Sequence, residues 1–207
     1  MFFSLLQYYY KIKPILLGKA FKLLFSNKNL KIGKNFQCDT LPKTLINNGS
    51  TVEIGDHVVF RRNVEIRAHN GALLKIGNDC RIDRGVRLLA NNKSKLELDN
   101  GVRVGLYSVF NGGDSIFIGE NTLISGFVYL QTSMHKYQGD ADIKNQGYNH
   151  DPIYLEGNNW IGTHAILFPG VRLGKKCIVG SSSVVNKSFE ENSILAGAPA
   201  ILLKKRD

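Results

Sequence analysis

The sequence predicts an all-β fold: a parallel β-helix of hexapeptide repeats, with a short helical N-terminal segment and one long inserted loop. Three observations predict it. Leu155, Ile161, Leu167, Leu173, Val179 and Val185 stand six residues apart near the C-terminus. A second inward position follows four residues later at Ala165, Val171, Cys177 and Ser183, and Gly162, Gly174 and Gly180 directly follow three of the six. The same period returns upstream in blocks that begin at Ile54, Ile76, Leu98 and Ile118. A helix repeats at 3.6 residues and a strand at 2, so a period of six is a repeat architecture. Short strands joined by tight corners, three hexads to a turn, stack into such a solenoid.

Residues 1–29 read as a basic amphipathic helical segment. The first 34 residues hold Lys11, Lys13, Lys19, Lys22, Lys28, Lys31 and Lys34 with no acid, interleaved with aromatic and aliphatic residues. Pro14 predicts two short helices in place of one. This segment either caps the open end of the solenoid or lies on an anionic membrane surface, and both readings stand. Much of the net charge of +10 is its doing. Nucleic acid is excluded as a partner by the lack of a recognition motif or aromatic platform.

Residues 30–187 carry the coils. Ile32 and Cys38 begin an irregular first coil. Ile54, Phe60 and Ile66 form the next, then Ile76, Ile82 and Leu88, then Leu98, Val104 and Phe110, then Ile118, Ile124 and Leu130. Starts 22, 22 and 20 residues apart leave a short extra loop after each eighteen-residue coil. Gly55, Gly77, Asn78, Asn100, Gly101, Gly119 and Asn121 mark corners where left-handed backbone angles are expected. Cys38, Cys80 and Cys177 fall on inward positions, where small apolar packing is their expected role. Three cysteines without metal spacing suit a reducing cytoplasm, and no stretch reads as membrane-spanning or as a cleaved leader. Residues 188–207 read as a C-terminal tail.

The coils break once at length, over residues 131–154. Long insertions in a solenoid emerge on one face and are commonly functional. This one carries His135 and His150 with Asp140, Asp142 and Asp151. Histidine suits proton transfer near neutral pH, although a loop histidine is more often a solvated polar residue. His57, His69 and His164 sit at coil or corner positions and are expected to be structural. Asn111-Gly-Gly-Asp114 is strong turn chemistry.

Asn158-Asn-Trp-Ile-Gly-Thr-His-Ala-Ile-Leu-Phe-Pro-Gly-Val-Arg-Leu-Gly174, Val179-Gly-Ser-Ser-Ser-Val-Val-Asn-Lys187 and Ala196-Gly-Ala-Pro-Ala200 together resemble the hexapeptide-repeat acyltransferases. The likeness is greatest to the maltose/galactoside-type and surface-polysaccharide O-acetyltransferases, and it spans about residues 30 to 204. It implies a left-handed β-helix, a homotrimer with inter-subunit active sites, and acetyl-CoA as co-substrate with no metal. It implies His135 as general base, Asn111 and Asp114 as acceptor-binding residues, and Trp160, Thr163, Ser181, Asn186, Lys187 and Lys204 as coenzyme A contacts. The turn reading of Asp114 and a packing role for Trp160 stay open beside these. The implied acceptor is a sugar of capsule or another surface polysaccharide. The implied location is the cytoplasm, with the inner membrane face for a membrane-bound residue 1–25 segment. A nucleotide-sugar N-acetyltransferase and a non-catalytic scaffold are the alternatives. Zinc-dependent carbonic anhydrases share the fold, but the scattered histidines and the quoted segments disfavour them. Serine acetyltransferase shares the C-terminal end but has a long helical N-terminal domain that this chain lacks.

Overall fold

The computed structural model describes residues 2–47 and 49–206. One helix, Phe2–Phe25, precedes a triangular solenoid whose sides are sheets of seven, nine and seven strands, parallel except for the last strand of the second. Each coil gives one strand to each side. The first side runs from Leu30–Ile32 to Arg172–Leu173, the second from Gln37–Cys38 to the C-terminal strands, and the third from Lys43–Ile46 to Val184–Val185. It is a left-handed β-helix.

The hexad arithmetic becomes three vertical ladders. Ile32, Ile54, Ile76, Leu98, Ile118, Leu155 and Leu173 stack on the first side in strict register. Cys38, Phe60, Ile82, Val104, Ile124, Ile161 and Val179 stack on the second. Ile66, Leu88, Phe110, Leu130, Leu167 and Val185 stack on the third. All of these are buried, as are Val58, Val86, Ala165 and Val171 at the four-residue offset. Like residues thus pack on like residues along one continuous core, which is what makes a solenoid stable without long-range closure.

Two kinds of corner residue do different work. Asn35, His57, Asp79, Gly101, Asn121, Asn158 and Lys176 turn the first corner, and Asn63, Gly85, Tyr107, Phe127, His164 and Ser182 the second, all at φ between 52° and 71°. Gly101 and Asn121 therefore supply the left-handed angle expected of them. Gly55, Gly77 and Gly119 do not. A Cβ on Gly55 would stand 2.6 Å from Asn78 Oδ1 and 2.8 Å from the Gly77 carbonyl carbon, so that glycine is required by the close approach of successive coils.

Pro14 does not split the N-terminal helix. Its ring lies on the buried face, on the same side as Gly18 and Phe21. Gly18 lets the helix press onto the first coil, since a Cβ there would overlap the Phe36 carbonyl, and Phe21 joins Phe36 and Phe60 in a ring cluster. Packing on the solenoid end offsets the roughly 3 kcal/mol that an interior proline costs. The helix is thus an end cap. Its opposite face leaves Tyr8, Tyr9, Leu16, Leu23 and Leu24 exposed. Among the described residues, no helix is long and apolar enough to cross a membrane.

The C-terminal stretch is more ordered than a tail. Ser193–Gly197 and Ala200–Lys205 form an antiparallel hairpin that extends the second side, and Lys205 Nζ fastens it to the Glu191 carbonyl at 2.8 Å. The three cysteines are free and buried. Burial pushes the thiols of Cys38 and Cys80 up to about 11 and raises Cys177 too, so they stay protonated and serve packing.

Candidate active site

The inserted segment leaves at the third corner, between the third and first sides, and returns at Ile153–Leu155. Ser133–His135 pairs antiparallel with Tyr148–His150, so that Ser133 faces His150 and His135 faces Tyr148. Asp151 N–H donates to the Thr132 carbonyl at 3.0 Å and closes the neck of this hairpin. The His135 ring leans on Tyr148, with centroids 4.2 Å apart, and Tyr148 lies 5.8 Å from His150. A hydrogen bond of 2.8 Å joins Ser133 Oγ and His150 Nδ1.

Beneath the hairpin lies a cleft of about 560 Å³ lined by residues that include Arg67, His69, Asn91, Asn111, Gly113, Ser133, Tyr148 and His150. That is ample for a sugar ring and falls within the usual range of ligand sites. Its floor is built by register. Arg67, Leu89 and Asn111 are cross-strand neighbours on the third side. His69, Asn91 and Gly113 follow two residues on, at the same 22-residue step. Gly113 has no side chain because Ser133 and His150 occupy that space, 2.1 and 3.2 Å from where its Cβ would be. Among the described residues, Nε2 of His69 is buried without a hydrogen-bond partner. A larger concavity of about 850 Å³ runs along the first side past Lys31, Glu53, Lys75, Glu97, Phe117 and Tyr154. Lys31 pairs with Glu53 at 2.7 Å and Phe117 stacks on Tyr154 along it, and among the described residues no histidine or hairpin residue lines it.

Asn111 and the inserted loop are therefore brought together, with His135 at the hairpin's outer rung beside the cleft-lining Tyr148. Asp114 is not among the residues lining the cleft. Its carboxylate accepts the Ser115 N–H at 2.6 Å and its own N–H donates to Thr132 Oγ1 at 2.9 Å, which is the turn chemistry of the Asn-Gly-Gly-Asp sequence. His57 and His164 occupy left-handed corners, and His164 stacks on Phe127 at 4.9 Å. His69, expected to be structural, lines the cleft. Arg67, His69, Asn91 and Ser133 escaped sequence reasoning. The signal was present, since stepping back by 22 from Asn111 and Gly113 reaches Leu89, Arg67, Asn91 and His69.

The residues matched to coenzyme A contacts lie elsewhere on the same chain. Trp160 stands on the outer face of the second side, 53% exposed, its Nε1 donating to Ser125 Oγ at 3.3 Å. Thr163 and Ser181 occupy successive second corners, where Gly162 brings the coils so close that a Cβ would stand 2.6 Å from Ser181 N. Thr163 Oγ1 donates to the Gly126 carbonyl at 2.8 Å. Asn186 and Lys187 are exposed beyond the third side, and Lys204 is exposed on the terminal hairpin. Small residues against backbone, an exposed indole and exposed lysine side chains, Lys187 with its Nζ 5.6 Å from the Phe189 ring centroid, fit a pantetheine arm and phosphates. Among the described residues, no three metal-ligating side chains cluster.

Comparison with known proteins bears on the fold and on sequence likeness. No family model matches the chain. It is 31% identical over 105 residues to the galactoside O-acetyltransferase of Lactococcus lactis, covering 49% of this chain and 50% of that protein. It is 30% identical over 100 residues to a candidate lipopolysaccharide biosynthesis O-acetyl transferase of Escherichia coli, WbbJ, covering 44% and 51%. A variant of AntD, an N-acyltransferase from Bacillus cereus in complex with dTDP and coenzyme A, superposes with a TM-score of 0.61 at 21% identity, covering 91% of this chain and 88% of that one. The chain has the fold of the hexapeptide-repeat acyltransferases and resembles them in sequence. NeuO, a polySia-specific acetyltransferase, shares this acyltransferase fold with a TM-score of 0.58 at 18% identity, covering 87% and 88%. The chain spans about half the length of the curated relatives it matches.

Proposed function

We propose that this chain is an acetyl-CoA-dependent O-acetyltransferase acting on a hydroxyl of a sugar during surface-polysaccharide biosynthesis, such as that of capsule. The observation that carries the reading is the inserted hairpin. It is the one long break in the coils, it bears His135 and His150, and it stands over a sugar-sized cleft. The named activities of the relatives, sugar and lipopolysaccharide O-acetylation, support the acceptor class.

His135 is the proposed base. Its imidazole takes the proton of the acceptor hydroxyl while that oxygen forms a bond to the thioester carbonyl carbon. The tetrahedral centre then collapses, the carbon–sulfur bond breaks, and the thiolate leaves to be protonated. No acyl-enzyme is needed. General-base assistance contributes typically 10²–10⁴-fold, and holding both substrates in one place contributes much of the rest. Trp160, Thr163, Ser181, Asn186, Lys187 and Lys204 are the proposed donor-site residues, and Asn111 the proposed acceptor contact. Asp114 serves through its turn.

The hairpin and the Trp160–Thr163–Ser181 surface leave the prism at different places, which supports a homotrimer whose sites are shared between copies. The lysine-rich helix, with an apolar stripe turned away from the body, supports work at the cytoplasmic face of an anionic membrane.

Calorimetry with acetyl-CoA, wild type beside His135→Ala, followed by thiol release with sugar and amino-sugar acceptors, tests the assignment. Binding by both proteins with turnover about 10²–10⁴-fold lower in the variant is expected. Failure of the wild type to bind acetyl-CoA would sink the reading and favour a scaffold.

A further inference from the structure

We infer that the cleft beneath the hairpin selects an acceptor bearing a carboxylate, an acidic sugar, and that Arg67 is the residue that recognises it. The inference rests on the acetyltransferase reading for the identity of the site, and names its substrate class. The cleft is lined by one guanidinium, the amides of Asn91, Asn92 and Asn111, two imidazoles and the hydroxyls of Ser133 and Tyr148. Among the described residues, no Asp or Glu lines it. Asp114, next to Gly113, turns its carboxylate onto the Ser115 N–H, and Asp151, next to His150, has its Oδ2 against Gly170.

A neutral sugar presents hydroxyls that need acceptors as well as donors, and ionised side-chain carboxylates are acceptor-only groups suited to the task. Here the charged acceptor is missing while a fixed donor fork is present. That pattern fits a ligand that brings its own negative charge.

Arg67 is not neutralised by its neighbour. Glu65, on the outer face of the same strand, bonds Arg67 Nε and Arg87 Nε, the latter at 2.9 Å, and has Lys43 Nζ at 3.5 Å. Three cations surround one carboxylate. Burial pushes the Glu65 carboxyl upward, but its hydrogen bonds to Arg67 and Arg87 outweigh that and hold it below its ordinary value. Glu65 therefore stays ionised, grips Arg67 through Nε, and leaves a surplus of positive charge beside the cleft. Glu65 is a positioning residue for that guanidinium. His69 adds a second directed group, its buried Nε2 lacking a partner among the described residues.

The test uses methyl β-D-glucuronide against methyl β-D-glucoside, which share a ring and differ at the C6 carboxylate, with glucose 1-phosphate as the phosphate arm. The glucuronide is expected to exceed the glucoside by about ten- to hundredfold in kcat/KM, the range of a charge-assisted hydrogen bond. The difference should reside in KM and shrink with added salt. In Arg67→Gln the ratio should fall toward one, and Arg67→Lys, which keeps the charge without the fork, should lie between. Retained acetyl-CoA binding by both variants verifies that they fold. Equal turnover of the two glycosides by the wild type overturns the inference and leaves acetyl transfer standing. An equal gain with glucose 1-phosphate overturns the carboxylate assignment. Saturation-transfer NMR without acetyl-CoA separates the two readings. Glucuronide binding that Arg67→Gln abolishes, with no thiol release from any acceptor, overturns acetyl transfer and leaves only the recognition of the carboxylate by Arg67 standing.

Discussion

Gly113→Ala places one methyl group in the floor of the candidate acceptor cleft, and its effect follows from three distances. The added carbon would stand 2.1 Å from Ser133 Oγ, roughly 1.3 Å short of the 3.4 Å at which ordinary contact begins, and 3.2 Å from His150 Nδ1. Ser133 must rotate or the hairpin must lift. Either movement breaks the 2.8 Å bond that holds His150 over the cleft. A misplacement of about 1 Å near the chemistry costs on the order of 10²-fold, so turnover should fall between ten- and a hundredfold. The atoms that move belong to an exposed hairpin rather than the core, so the stability cost sits near the low end of the 1–3 kcal/mol seen for overpacking. That corresponds to a loss of about 2–4 °C in Tm for a chain of this size. Gly112→Ala supplies the contrast. Its methyl would press on the Leu89 backbone carbonyl at 2.8 Å, which belongs to the coil beneath, so stability should fall further. Thiol-release kinetics and thermal melts on the two variants provide the measurement. Wild-type turnover in Gly113→Ala, or a loss matched by a fall in Tm as large as that of Gly112→Ala, would refute the placement of the cleft.

Glu65 links pH to stability. Its native carboxyl titrates below its ordinary 4.5, so its stabilising contribution is fully present above pH 4.5 and is lost as pH falls through the native value. Glu65→Gln should therefore lower urea stability at pH 7 by about 1.5–3 kcal/mol, the scale of a hydrogen bond to a charged group. The gap to wild type should narrow in melts as pH falls below 4.5, and a gap independent of pH would count against the ion cluster. At the other end of the molecule, the exposed apolar stripe of the helix should float the protein with vesicles containing phosphatidylglycerol but not with pure phosphatidylcholine. Leu16→Glu should abolish flotation, and equal flotation with both vesicle types would remove the electrostatic part of the argument.

The core ladders were legible because an inward residue in a solenoid meets the same chemical environment in every coil, so a period of six survives in the letters themselves. Outward residues have no such repetition. What they face depends on neighbours one coil away, and the corner loops of two to four extra residues hide the step unless it is measured. Arg67 and His69 illustrate this. In the chain they are ordinary polar residues at the end of a strand, and only the 22-residue step to Leu89 and Asn91, and then to Asn111 and Gly113, places them beneath the hairpin. Gly55 shows the same blindness from the other side. Glycine in a corner reads as a left-handed angle, yet this one is held by the backbone of the coil beside it. Pro14 follows suit, since a helix breaker is overruled where its ring is itself part of the buried face. In each case the residue's local preference was overruled by a contact with a neighbouring coil or with the end of the solenoid. Candidate sites on such folds are therefore best sought by extending the core register to the outward columns, where the third side of this chain collects Arg67, Asn111 and the hairpin that carries His135.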